Sequence, residues 1–194
     1  MKKIWVFRHG PKKSGSSKNV VGLSMTLSEE GRELTSKIAT QFLADNGKPQ
    51  MIRTSLCVRT YETGMIFAEV CDADLPKIEA NLTGRYQGWE RMMNLVSGEP
   101  TAKSFYLADP EFIKTEAETI FSVIKDTAKS ISVNENAICV SHGGLIEPTI
   151  ALATKKQNTW DLAPTFPEDL KEGEAVIFVF DENNKFVAVE KQNR

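Results

Sequence analysis

The sequence predicts a three-layer α/β/α sandwich around a mostly parallel central sheet. Three observations carry this. Short apolar runs alternate with longer stretches of helical periodicity along the chain. Two runs, Ile4-Trp5-Val6-Phe7 and Ala137-Ile138-Cys139-Val140, read as buried strands. Each ends abruptly in a polar turn, Arg8-His9-Gly10 and Ser141-His142-Gly143-Gly144, and these turns hold the two histidines of the chain. If the strands are neighbours, both imidazoles meet at their carboxyl ends, where open α/β sheets bind ligands.

Bulk composition bounds the answer. A chain of 194 residues is expected to form one domain, 1–194. Hydrophobic residues at 41% and charged residues at 26% describe a chain able to build an ordinary core. A net charge of −2 argues against a general nucleic-acid binder, which is basic over much of a face. Cys57, Cys71 and Cys139 fall in no CxxC or Cys/His spacing, so they read as small buried hydrophobes in a reducing compartment. Lys2 and Lys3 precede only a short apolar run, unlike a signal peptide, and no stretch approaches membrane-spanning length. The expectation is a cytoplasmic protein with neither a membrane nor a nucleic-acid partner; the oligomeric state is left open.

The elements follow in order. The first strand is about 3–7. The loop 11–19 is rich in glycine, serine and lysine, suited either to closing over an anion or to plain solvation. Ser28 caps the first helix, Glu29 and Glu30 suit its positive end, and Leu34, Ile38 and Phe42 form its expected stripe, which ends at Asn46-Gly47. Residues 51–54 are a short strand. Ser55 is expected to cap a helix over 56–70, with Val58, Tyr61 and Met65 on one face and Ile66 and Val70 beside it. Arg59 lies one turn inside that helix, where position alone favours the surface. Residues 72–110 read as an irregular excursion, a substrate lid or a packed surface loop. Pro110 opens a long helix with Ile113, Ala117, Ile120, Phe121, Ile124 and Ala128 inward. After the strand with Cys139, a helix runs to about Ala153. Trp160 and Phe166 are expected to cover the core, and 175–180 with 186–189 form a terminal hairpin.

The paired histidines support phosphoryl transfer. A neutral imidazole can attack phosphorus, and the transferring group spreads negative charge over oxygens that arginine forks match. Nearby arginines also disfavour imidazolium and keep the nucleophile unprotonated. No metal or other cofactor is required. Zinc would want further ligands, and a serine hydrolase would want a GxSxG elbow; the sequence has neither.

The chain resembles the histidine phosphatase superfamily, in its phosphoglycerate-mutase-like branch. The resemblance rests on Arg8-His9-Gly10, Leu27-Ser28-Glu29-Glu30-Gly31, Ser55-Leu56-Cys57-Val58-Arg59-Thr60-Tyr61-Glu62-Thr63 and Ser141-His142-Gly143-Gly144, in the family's order over most of the chain. It implies a phosphoglycerate-mutase-like fold, with His9 as phosphorylated nucleophile and Arg8, Arg59 and His142 completing the phosphate pocket. It likewise implies that Gly22 belongs to the first loop, that Asn19 donates to substrate, and that Arg85 contacts substrate. Two departures stand out. Pro11 follows Arg-His-Gly where relatives carry an acidic residue or glutamine. Gly84 stands where many carry a general-acid glutamate, which leaves Glu90 as a weak candidate for proton donor. The leading expectation is a phosphatase acting through phospho-His9 on a phosphorylated small molecule or phosphoprotein, a phosphomonoester or phosphohistidine. A mutase is second, and a non-catalytic phospholigand-binding relative is third. Lys12, Lys13, Arg53, Arg85 and Arg91 are candidates for a second anionic group.

Overall fold

Strand β1 (Lys2–Arg8) alternates its side chains between two cores. Ile4 and Val6 enter one apolar cluster, and Trp5 and Phe7 enter the other. β4 (Asn136–Ser141) and β5 (Ala175–Phe180) do the same, with Cys139 and Phe178 on the first face and Ile138 and Ile177 on the second. Apolar runs at successive positions within a strand have this meaning: both faces of the sheet are covered. The computed structural model describes residues 1–13, 22–96, 100–154 and 169–192. The expected roles of the loop 14–19, Trp160 and Phe166 lie outside the described residues.

The remaining elements are α1 (Glu29–Asn46), β2 (Met51–Thr54), α2 (Val58–Val70), β3 (Lys77–Ile78), a 3-10 turn (Ala80–Leu82), α3 (Tyr86–Leu95), α4 (Ala102–Ala108), α5 (Pro110–Ser130), α6 (Ile146–Thr154) and β6 (Phe186–Lys191). The sheet order is β3-β2-β4-β1-β5-β6. β3, β2, β4 and β1 are parallel, β5 runs antiparallel to β1, and β6 antiparallel to β5. α1 and α2 supply the cover of one face, through Ala39, Phe42, Phe67 and Ala68. α3 to α6 cover the other, through Trp89, Phe105, Ile113, Ile120 and Ile146. This is the three-layer α/β/α sandwich with a mostly parallel sheet. Among the described residues no helix is long and apolar enough to cross a membrane.

Several local expectations need correction. Residues 72–110 are not irregular throughout, since they carry α3 and α4. These helices are short, and the surrounding Gly and Pro hid them. Ser28 does cap α1, accepting from Gly31 N at 3.0 Å. The inward face of α1, however, is Gly31, Thr35, Ala39 and Phe42, with Leu34 and Ile38 half-buried. In α2 the buried face is Arg59, Thr60, Thr63, Gly64, Phe67 and Ala68, while Val58 is exposed. Small side chains define both faces because the helices approach their neighbours closely. A Cβ at Gly64 would stand 2.5 Å from Thr54 Cγ2 on β2.

The same closeness fixes the turn after His9. A Cβ on Gly31 would collide with the Pro11 carbonyl oxygen, which itself accepts Ser28 N at 2.9 Å. Gly→Ala within an ordinary helix stabilises by about 1 kcal/mol. Gly31→Ala is therefore expected to invert that sign and destabilise, by about 1–3 kcal/mol as overpacking does. Urea unfolding midpoints of the two proteins check it.

Candidate active site

The parallel pairing of β1 and β4 sets the two imidazoles side by side. Arg8 is in register with Ser141, and His9 N donates to Ser141 O at 3.2 Å. The ring centroids of His9 and His142 are 5.4 Å apart. β2 flanks β4 on its other side, and Ser55 N donates to Val140 O at 3.1 Å, so Ser55 arrives beside His142. Three adjacent strand ends thus deliver His9, His142 and Ser55 to one edge of the sheet.

Hydrogen bonds assign the tautomers. His9 Nδ1 lies 2.7 Å from the Gly10 carbonyl, which only accepts, so Nδ1 carries the proton. Nε2 then holds a lone pair, and Arg59 Nε donates to it at 3.0 Å. At His142, Arg59 Nη2 is 3.1 Å from Nδ1, making Nδ1 the acceptor, and Nε2–H donates to Ser55 Oγ at 2.8 Å. Ser55 Oγ also accepts Cys57 N at 3.3 Å and meets Thr60 Oγ1 at 2.8 Å, while Thr60 Oγ1 donates to Cys57 O at 2.6 Å. The chain of donors and acceptors is complete with both rings neutral.

Electrostatics agree with that assignment. His9 is 3% exposed, and burial, followed by the charge of Arg59, pushes its pKa down to about 3. Arg8 and Lys12 push the same way, against the Gly10 hydrogen bond. Burial, then Arg59, holds His142 well below the usual imidazole value. Arg59 is 8% exposed, and its third donor, Nη1, goes to Gly22 O. Burial lowers its pKa. Arg8 Nη1 donates to Leu170 O at 2.5 Å, while Arg8 Nε is buried with no hydrogen-bond partner among the described residues. Neither arginine pairs with a carboxylate there. Glu172 acts on Arg59 and Lys12 as the opposing charge. Among the described residues, no three His, Cys, Asp or Glu side chains gather as a metal-binding group.

The structure thus brings Arg8, His9, Gly22, Arg59 and His142 together, and Arg59 lies inside the site rather than on the surface that its position favours. Asn19 lies outside the described residues. Arg85 is exposed and pairs with Glu116: its N and Nε donate to that carboxylate at 2.8 and 2.6 Å, and its guanidinium stacks 5.0 Å from the Phe112 ring centre. Arg91 pairs with Asp109, and Arg53 lies 3.8 Å from Glu79. Lys13 and Glu90 are exposed. Gly84 has φ +75°, and a Cβ there would stand 2.5 Å from Glu116 Oε2 and collide with Trp89 Nε1. Ser55, expected as a helix cap, instead fixes His142; Cys57 takes the N-cap position of α2.

No family model and no curated protein matches the sequence. Solved structures do. The protein histidine phosphatase SixA complexed with tungstate is 10% identical, covering 97% of this chain and 96% of that one, at a TM-score of 0.61. Phosphoglycerate mutase from Bacillus anthracis is 16% identical, covering 99% and 92%, at 0.66. Phosphoserine phosphatase from Entamoeba histolytica, in complex with 3-phosphoglyceric acid, is 20% identical, covering 93% and 91%, at 0.64. The chain has the histidine phosphatase fold.

Within this histidine phosphatase fold, two buried carboxylates escaped the sequence reading. Glu116 takes the space beside Gly84. Glu147, buried on α6, bonds to backbone N–H groups of Gly144 and Leu170. Neither stood in a recognisable motif; an acidic residue inside an otherwise apolar helical face was the available signal.

The depressed histidines make stability depend on pH. The unfolded chain takes up a proton near pH 6.5, whereas folded His9 resists protonation down to about 3. Its contribution is present above pH 6.5 and lost as pH falls through that window, at ~1.4 kcal/mol per pH unit per such group. His9→Asn is expected to show a shallower loss of unfolding free energy between those limits, measured by denaturant titration across pH.

Proposed function

We propose that this chain is a phosphatase that passes its substrate's phosphoryl group to His9 Nε2 and then to water. The observation that carries the reading is the unprotonated Nε2 of His9, its lone pair held against a buried arginine. The fixed cations of Arg8 and Arg59 match a phosphoryl group's charged oxygens, and Arg8 Nε, which has no partner among the described residues, is one donor available to them. In the first step the His9 Nε2–P bond forms as the bond from phosphorus to the leaving group breaks. In the second, water attacks phosphorus, inorganic phosphate leaves and His9 regains its lone pair. Relatives in fold that hold tungstate or 3-phosphoglyceric acid support an oxyanion in this pocket.

The wall at Gly84 bears on the substrate class. Glu116 and Trp89 close the space a general-acid side chain would occupy at that position. Substrates that depart without a carboxylic acid suit the site best. A phosphohistidine does so, because its ring takes a proton on the remote nitrogen and leaves neutral. Acyl and aryl phosphates do so as well.

Rapid-quench mass spectrometry after mixing with an activated aryl phosphate is expected to find an acid-labile phosphoryl adduct on His9, with steady turnover, and neither in His9→Ala. Adduct without turnover would favour a mutase lacking its acceptor. Absence of both, with phosphate still bound, would favour a non-catalytic binder. Alkyl phosphates are expected to react about 10²–10⁴-fold more slowly than aryl phosphates, the range a general acid supplies. A leaving-group series checks this, and equal rates would contradict the acid-free reading.

A further inference from the structure

We infer that Glu147 is a positioning residue for the anion pocket, its carboxylate tying the turn that carries His142 to the peptide that orients Arg8. The inference rests on the reading of this pocket as a phosphoryl-oxyanion site. Glu147 is 0% exposed, near the start of α6. Its Oε2 accepts Gly144 N at 2.7 Å, two residues beyond His142. Its Oε1 accepts Leu170 N at 2.9 Å, from a segment 23 residues away. The other face of that segment serves Arg8: Leu170 O accepts Arg8 Nη1 at 2.5 Å, and Gly173 N reaches both Arg8 O and His9 O at 3.1 Å.

The two halves also touch directly. A Cβ on Gly143 would stand 2.8 Å from Arg8 Cζ, so the turn's backbone lies against the guanidinium. Any shift of that turn moves the wall behind Arg8, and any shift of Leu170 moves the anchor in front of it. One carboxylate restrains both. A helix cap would need only the bond to Gly144; the bond to Leu170 makes Glu147 a bridge. Burial pushes the Glu147 carboxyl above the usual range, against which its bonds to Leu170 N and Gly144 N and the positive end of α6 favour the charged form, which strengthens both bonds.

The test uses the full chain and tungstate as the probe, with binding measured by calorimetry and folding checked by circular dichroism. Glu147→Gln keeps the shape but offers one acceptor oxygen to two N–H donors. It is expected to weaken tungstate binding about tenfold and to raise KM for an aryl phosphate similarly, while kcat stays within about twofold. Glu147→Asp keeps the charge but is one methylene too short to span both donors, and it is expected to weaken binding as well. Combining Glu147→Gln with Arg8→Lys is expected to cost little beyond Arg8→Lys alone, because both act through the same guanidinium. Variants that bind tungstate as the parent does and lose only thermal stability would make Glu147 a plain helix cap. Fully additive losses would likewise overturn the inference. A parent chain that binds tungstate without phosphorylating His9 refutes the phosphatase reading while leaving this test intact. A parent that binds no tungstate removes both.

Discussion

One buried guanidinium organises the site. Arg59 spends its donors on three neutral acceptors from three segments: His9 Nε2 after β1, His142 Nδ1 after β4 and the Gly22 carbonyl ahead of α1. Each bond satisfies polar geometry, but none cancels the charge. Among the described residues Arg59 has no carboxylate ion pair, and burying such a cation is costly, in keeping with the downward shift that burial gives its pKa. The surrounding structure sustains it by packing α2 through small residues and by supplying complete hydrogen bonding. On the proposed reading, an incoming dianion takes over donors that Arg59 now gives to the two imidazoles, and Arg59 Nε releases His9 Nε2 before that nitrogen attacks.

The same arrangement decides the state of both histidines. Burial and the neighbouring cations act in one direction, with burial the larger. The imidazoles stay neutral, and their tautomers follow from what each outer nitrogen meets: a carbonyl at His9, a serine hydroxyl at His142. Ser55 and Thr60 thus matter through orientation. The wall formed by Gly84, Glu116 and Trp89 works by exclusion, since it removes a place for a side chain rather than adding one. On the proposed reading, these features suit a neutral nucleophile and a leaving group that needs little help.

Legibility followed the size of the side chains. Strands β1, β4 and β5 were readable because a sheet covered on both faces leaves runs apolar at successive positions: Ile4 to Phe7, Ala137 to Val140 and Ala175 to Phe180. α5 was readable because Ile113, Ile120 and Ile124 are large and helically spaced. Phe42 of α1 was readable too, but the rest of the buried faces of α1 and α2 was not, because Gly31, Thr35, Thr63 and Gly64 bury through close approach, which hydrophobic pattern does not register. α3 and α4 were hidden for a related reason. Each is short, and a few aromatic contacts, such as Trp89 with Phe105 and Phe112, supply what length would otherwise show.

By itself the sequence determined the layer architecture and pointed to Arg8, His9 and His142, because local pattern places a residue at a strand's end. The resemblance it carried added Arg59, which position alone would have put on the surface. Tertiary structure alone decided the rest: which nitrogen of each ring keeps its lone pair, that Arg85 is bound to Glu116, and that Glu147 bridges two distant segments. Those facts depend on distances between parts of the chain far apart in sequence. Hydrogen bonds and desolvation act through such distances, and no local pattern encodes them.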